Sequence, residues 1–282
     1  MPHELNEDAM GDPRNATFLA LACQFAYSPA ESGEAAFRDE LGMSAKLISV
    51  DNTQAYVAAN DAHVVLAFRG SQEPTNIDGL KDWLMTNALN LLIVPTGPLG
   101  ADFAAAGVGA RWHQGFVTAI EEVWDPVFAA TTEHLKAKDR PLWVTGHSLG
   151  GALALLAAWL FLRRTVAVHQ VYTFGAPMVG NKDVADALNR EFAGKVFRYV
   201  NSPDPVPHLP MMSLVANDFM HCDKAMPLGD SAGAADLLAF LKQLGSGVMG
   251  GVLSGNIADE AWGAVKGRIA AHLLDDYHKV IR

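Results

Sequence analysis

Cysteine is scarce in this chain: 282 residues contain only Cys23 and Cys222, so no disulfide framework can be what holds it together. Two cysteines in a chain of this length read as free thiols of a reduced compartment, and a cytoplasmic location is expected. The N-terminal stretch MPHELNEDAMGDPRNATF puts acidic residues and proline ahead of a short apolar run, which is not the pattern of a secretory leader. Charge is also sparse. Asp, Glu, Lys and Arg make up 18% of the residues against 50% hydrophobic, and the formal net charge is −10. An acidic balance excludes an electrostatic footprint for nucleic acid or for a strongly anionic membrane. Nothing in the composition marks a linker, and one large core is affordable at this size, so residues 1–282 are expected to form a single domain. No His-Glu-x-x-His pair or other zinc spacing occurs, and no metal or organic cofactor is expected.

One stretch lacks charge altogether. From Pro141 to Leu162 there is no Asp, Glu, Lys or Arg, yet Gly146-His147-Ser148-Leu149-Gly150-Gly151 interrupts it, leaving neither half long enough to span a bilayer. Ahead of that turn, Leu142-Trp143-Val144-Thr145 is apolar and rich in β-branched and aromatic residues, which suits a buried strand. Gly150 to Leu162 is rich in Ala and Leu, with no Pro and no β-branched residue, and reads as a helix. By chance alone Gly-x-Ser-x-Gly turns up in about one chain in ten of this length; the strand before it and the helix after it are what make it informative. A strand that becomes a helix within a few residues forces the intervening Ser148 into a strained turn with its hydroxyl exposed. Gly146 and Gly150 allow the helix start to pass close to the strand. The amide of Leu149 then points into the same space and can help to hold an oxyanion.

Elsewhere the pattern alternates. Asn15 to Tyr27 has helical spacing; Gln54 to Ala59 and His63 to Phe68 read as strands about an Asn60-Asp61 turn. Between Gln72 and Gly109 no strand is legible, although Leu80, Trp83, Leu84, Leu89, Leu91, Leu92, Ile93 and Val94 lie there. Phe116 to Leu135 returns to helical spacing, with Pro126 expected to kink it. Strand Gln170 to Phe174, a helix near Asp183 to Phe192 and strand Lys195 to Val200 follow. Such alternation implies a mostly parallel sheet with right-handed crossovers, whose ligands collect at the carboxyl ends of the strands. Ser71, Ser148 and Asp204 would all lie there. The final fifth reads as helical and Gly-rich. Its Gly245-Ser246-Gly247-Val248-Met249-Gly250 is a poor dinucleotide fingerprint, because Ala235 to Leu244 ahead of it looks helical rather than extended.

A serine hydroxyl needs a base to take its proton and a carboxylate to orient that base. With the partners in the chain order Ser, acid, His, Asp204 in its Pro-rich loop is the best acid; Asp183, Asp218 and Asp223 look like surface or capping residues. His208, His221, His272 and His278 remain as bases, with His272 favoured. Further motifs accompany these residues: Phe68-Arg69-Gly70-Ser71 with Asp82-Trp83, His113-Gln114-Gly115-Phe116, Thr173 to Pro177 with Val179 to Asn181, Asn201 to Pro210, and His272 with Tyr277.

From about Asn15 to the C-terminus this series resembles the class 3 lipases, the fungal-lipase-like branch of the α/β-hydrolases. The resemblance implies an α/β-hydrolase fold: a mostly parallel central sheet flanked by helices, with a lid insertion at about 72–109. It also implies Ser148 as nucleophile, Asp204 as acid, His272 as base, and Ser71 joining Leu149 as oxyanion donor. Two departures are visible: Ala271 stands where fungal members have Asp, and the segment between Ser71 and His113 is longer. The implied activity is hydrolysis of acylglycerols or similar lipid esters at a lipid–water interface. Because its apolar residues need cover in water and it starts directly after Ser71, the segment Asn76 to Leu92 is expected to form a lid that covers Ser148. Phospholipase A1 and feruloyl or aryl esterase are the alternative activities, and a non-catalytic lipase-like interaction module is the alternative from outside the enzymes.

Overall fold

In the computed structural model, residues 4–71, 91–208, 218–229 and 269–281 are described. Three apolar runs, β3 (Val64–Phe68), β6 (Leu142–His147) and β7 (Gln170–Phe174), are buried at every position. Continuous burial, rather than alternation, is what a strand covered on both faces requires. Around them forms a seven-stranded sheet in the order β1-β2-β3-β6-β7-β9-β11, completed by β1 (Ser44–Val50), β2 (Thr53–Ala59), β9 (Val196–Asn201) and β11 (Ala225–Leu228). The first three strands pair antiparallel and the rest parallel. The predicted hairpin is present, its turn closed by Asn60 Oδ1 accepting from the amides of Ala62 and His63 at 2.9 and 2.8 Å.

Register decides where chemistry can happen. Phe68 pairs with Gly146, Gly146 with Thr173, and Phe174 with Tyr199. The carboxyl ends of β3, β6, β7 and β9 are therefore level, and the residues that follow them share one rim of the sheet: Gly70, Ser148, Gly175 and Asp204.

Each face of the sheet carries its own apolar core. On one side α1 (Pro13–Phe25) and α2 (Ala30–Leu41) pack with the C-terminal α7 (Leu274–Val280). On the other side lie α3 (Gly100–Ala104), α4 (Gln114–Ala137), α5 (Leu149–Arg163) and α6 (Lys182–Glu191). Every residue of α5 from Gly150 to Phe161 is buried, as expected of a helix that is apolar all round. Each large side chain so covered contributes roughly 1.5–3 kcal/mol, which anchors the turn at the helix start. A second, small sheet in the order β10-β8-β5-β4 joins Phe219–Met220, Gly180–Asn181, Trp112–His113 and Leu92–Ile93.

Several elements differ from the sequence reading. Helix α2 and strand β1 were not anticipated: β1 buries only Ile48, an edge strand with too little apolar pattern to stand out. Helix α4 is continuous through Pro126. Leu91 and Val94 are exposed, while Leu92 and Ile93 are half-buried in β4. Residues 95–109 pack onto the body through Leu99 and Phe103, and Trp159 Nε1 donates to the Asp102 carbonyl at 2.9 Å. The proposed cover from Asn76 falls almost wholly on residues outside those described, as do Asp82-Trp83, Ala235 to Leu244 and the Gly245 to Gly250 segment.

Candidate active site

Strand β6 runs into α5 with one residue between them. Ser148 takes φ 56°, ψ −129°, a region that a residue with a Cβ enters only under constraint. Its amide donates to the Phe174 carbonyl at 2.9 Å, so the β6–β7 ladder extends to Ser148 and holds the strain in place. The two flanking glycines are steric necessities: a Cβ at Gly146 would lie 2.0 Å from the Gly150 carbonyl oxygen, and one at Gly150 would lie 2.3 Å from that of Phe68. Leu149 opens α5, and amides in a helix's first turn have no partner within the helix. Gly70, one residue before Ser71, reaches the same place; a Cβ there would be 3.1 Å from Ser148 Cβ.

Asp204 leaves β9 through a tight turn and is completely buried. A buried carboxylate has to be satisfied, and three donors do so: His272 Nδ1 to Oδ2 at 2.8 Å, Tyr277 hydroxyl to Oδ2 at 2.7 Å and the Val206 amide to Oδ1 at 2.9 Å. The carboxylate's charge and burial together raise the Tyr277 pKa well above the ordinary phenol value, burial contributing most. Tyr277 thus remains a donor to the carboxylate. The other imidazole nitrogen, His272 Nε2, is buried with no partner among the described residues, leaving it free for a proton. Gly175, at φ 61°, lies under this pair; a Cβ on it would stand 2.8 Å from Asp204 Oδ2 and 2.9 Å from His272 Nδ1.

The competing candidates do not join this arrangement. His221 Nε2 donates to the Pro207 carbonyl, Asp218 and Asp223 are exposed, and Asp183 lies in the first turn of α6. His278 is half-buried. Within the His-x-Gly-Phe motif, His113 is a structural cap: its ring accepts from the Phe116 amide at 3.3 Å and stacks on the Phe116 ring at 3.9 Å. Burial takes its pKa down to about 3. Among the described residues no group of three or more His, Cys, Asp or Glu is placed to hold a metal ion. No described helix is long and apolar enough to cross a membrane.

Residues 65–214, just over half of the chain, match the family model for lipase (class 3). The chain belongs to the class 3 lipase family. Its fold is the α/β-hydrolase fold, as expected. It superposes with a TM-score of 0.59 on a solved triacylglycerol lipase whose catalytic centre is described as a serine protease triad, at 26% identity, covering 77% of this chain and 80% of that one. Among curated relatives, a secreted mono- and diacylglycerol lipase of Fusarium solani is 36% identical over 159 residues, 55% of this chain and 42% of the relative. A chloroplastic phospholipase A(1) of Arabidopsis thaliana is 33% identical over 158 residues, 52% of this chain and 33% of the relative. The chain thus spans less than half the length of either curated class 3 relative.

These relatives correct the expected location. The Fusarium lipase and further fungal relatives are named as secreted, which points outside the cell rather than to the cytoplasm. Scarce cysteine does not report the compartment here, for a physical reason. Cys23 and Cys222 are indeed free, but both are buried, and burial raises their pKa to about 12 and about 11. Thiols so shielded form little thiolate and stay unpaired even where oxidants abound.

Three contributors to this class 3 site escaped notice in the sequence. Tyr27 follows α1, and its hydroxyl donates to His147 Nδ1 at 2.8 Å; His147 Nε2 donates to the His272 carbonyl at 2.7 Å. Asn201 Nδ2 donates to the Ala271 carbonyl at 2.9 Å. His147 and Asn201 were visible only as letters of motifs, and Tyr27 carried no signal of its own.

Proposed function

We propose that this protein is a serine carboxylester hydrolase acting on acylglycerols or similar lipid esters, with Ser148 as nucleophile, His272 as base, Asp204 as its orienting acid, and Ser71 and Leu149 as oxyanion donors. The observation that carries the reading is the buried Asp204–His272 hydrogen bond of 2.8 Å at the same sheet rim as the strained Ser148, with His272 Nε2 left unpartnered. Ser148 Oγ attacks the ester carbonyl while His272 Nε2 takes its proton. The carbonyl oxygen becomes an oxyanion facing the Leu149 amide at the positive end of α5. Collapse expels the alcohol, which leaves with the proton from His272, and Ser148 carries the acyl group. Water then adds to that ester as His272 takes its proton, and the fatty acid leaves as Ser148 is reprotonated. Asp204 faces the imidazolium each time it forms.

The fungal relatives favour mono- and diacylglycerols and an extracellular place of action. The Arabidopsis relative favours phospholipase A1 activity as the second reading. A fluorophosphonate should label Ser148 stoichiometrically, and Ser148→Ala should remove turnover of monoacylglycerol and p-nitrophenyl esters while the thermal transition persists. Undiminished turnover in that variant, or a label mapped to another residue, would refute the assignment.

A further inference from the structure

The base of the proposed site is held by more than its carboxylate. His272 ends a short 3₁₀ turn, Ile269–His272, and side chains from two strands take the two carbonyls at its end: Asn201 Nδ2 that of Ala271 at 2.9 Å, and His147 Nε2 that of His272 at 2.7 Å. A carbonyl can only accept, so His147 Nε2 carries a hydrogen. Burial holds the His147 pKa well below its ordinary value, so the ring is neutral and Nδ1 has a free lone pair. The Tyr27 hydroxyl is the donor that meets it, at 2.8 Å. That hydroxyl also fills the space where a Cβ on Gly70 would sit, 2.2 Å from the Cβ position. One ring, adjacent in sequence to Ser148, therefore bridges the segment carrying the base to a tyrosine lodged against the backbone just before Ser71.

We propose that His147 is a positioning residue: with Tyr27 behind it, it fixes the His272 backbone relative to Ser148, so that nucleophile, base and the backbone before Ser71 are held as one fitting. The proposal rests on the reading of Ser148 and His272 given above. Asp204 sets the rotation of the imidazole, but a ring tethered only at Nδ1 can still swing with its backbone. His147 removes that freedom through the covalent neighbour of the serine.

The test compares kcat and KM on p-nitrophenyl butyrate, with kcat expressed per serine titrated to completion by a fluorophosphonate, so that misfolded enzyme is not counted. His147→Phe keeps the ring volume without the N–H, and should lower kcat about 10–100-fold with KM within about twofold, since misplacing a catalytic group costs rate rather than binding. His147→Gln, which keeps an N–H at a similar reach, should recover to within about fivefold of the parent, and Tyr27→Phe should lose only about 3–10-fold because the donor to His272 survives. A ring that merely fills core predicts the reverse: fewer titratable serines, each turning over at the parental rate. His147→Phe within about threefold of the parent per titrated serine, or His147→Gln as impaired as His147→Phe, would overturn the proposal. Should His147→Phe fail to fold, an unchanged kcat per titrated serine in Tyr27→Phe overturns it instead. Ser148→Ala is run in parallel: if it still turned over, the assignment of the site itself would fall, an outcome separate from the others.

Discussion

Replacing Gly175 by alanine should damage turnover far more than stability, and Gly42 supplies the control. Both have left-handed backbone, φ 61° and 64°, and an alanine in that region costs roughly 1–2 kcal/mol. The two differ in what a methyl group would meet. Around Gly42 nothing lies within 4 Å; at Gly175 the new Cβ would sit 2.8 Å from Asp204 Oδ2 and 2.9 Å from His272 Nδ1 and Cε1, where ordinary contact begins at 3.4 Å. The pair must therefore retreat by about half an ångström, or its hydrogen bond must lengthen. Charge-assisted bonds of this kind are worth roughly 1.5–3 kcal/mol, and an ångström of misplacement costs about 10²-fold in rate. We expect Gly175→Ala to lose about 10²–10³-fold in kcat and Gly42→Ala to keep parental kcat. Gly42→Ala should lower the melting temperature on the order of 2–6 °C from backbone strain alone, and Gly175→Ala should lower it further by the weakened hydrogen bond. Ester hydrolysis on matched, fluorophosphonate-titrated samples, with thermal melts of each, decides it. Gly175→Ala within threefold of the parent would refute the argument that the methyl strikes the pair. An equal loss in Gly42→Ala would show that backbone strain alone is responsible.

Two further outcomes are expected. His272→Ala should lose about 10⁴-fold or more in kcat/KM, as removal of a catalytic base does, whereas His278→Ala, whose ring does not touch Asp204, should stay within about threefold in an ester assay; the opposite ranking would move the base to His278. The pH dependence of stability should report His113. Its folded pKa of about 3 lies below the unfolded value of 6.5, so between those values the unfolded chain binds the proton and the native protein does not. Stability is then full above pH 6.5 and falls by about 1.4 kcal/mol per pH unit on acidification toward pH 3. His113→Asn keeps a capping side chain but does not titrate, and urea unfolding at several pH values between 4 and 7 should show a shallower acid decline. Parallel declines in parent and variant would show that His113 does not titrate as argued.

Much of the chemistry was legible as letters because it depends on local geometry. A strand, a glycine-flanked serine and an apolar helix written consecutively can only make a tight turn, and Ser148 sits there at φ 56° as that pattern demands. Asp204 was legible because proline on both sides fixes a loop after a strand, and the parallel alternation of strands and helices placed it on the serine's rim. What failed was of two kinds. Edge strand β1 and helix α2 bury too few residues to leave a pattern, and the compartment was misjudged because cysteine count was used where cysteine burial was needed. The choice among four histidines was beyond local pattern: His272 meets Asp204 only because residues 68 positions apart are brought together across the sheet rim. The same holds for Tyr27, His147 and Gly175. The sequence by itself determined the strained serine, its turn and the class of sheet, since each is a property of neighbouring residues. Only the tertiary structure decided which imidazole is oriented and what holds its backbone, because hydrogen bonds between residues more than a hundred positions apart leave no trace in local periodicity.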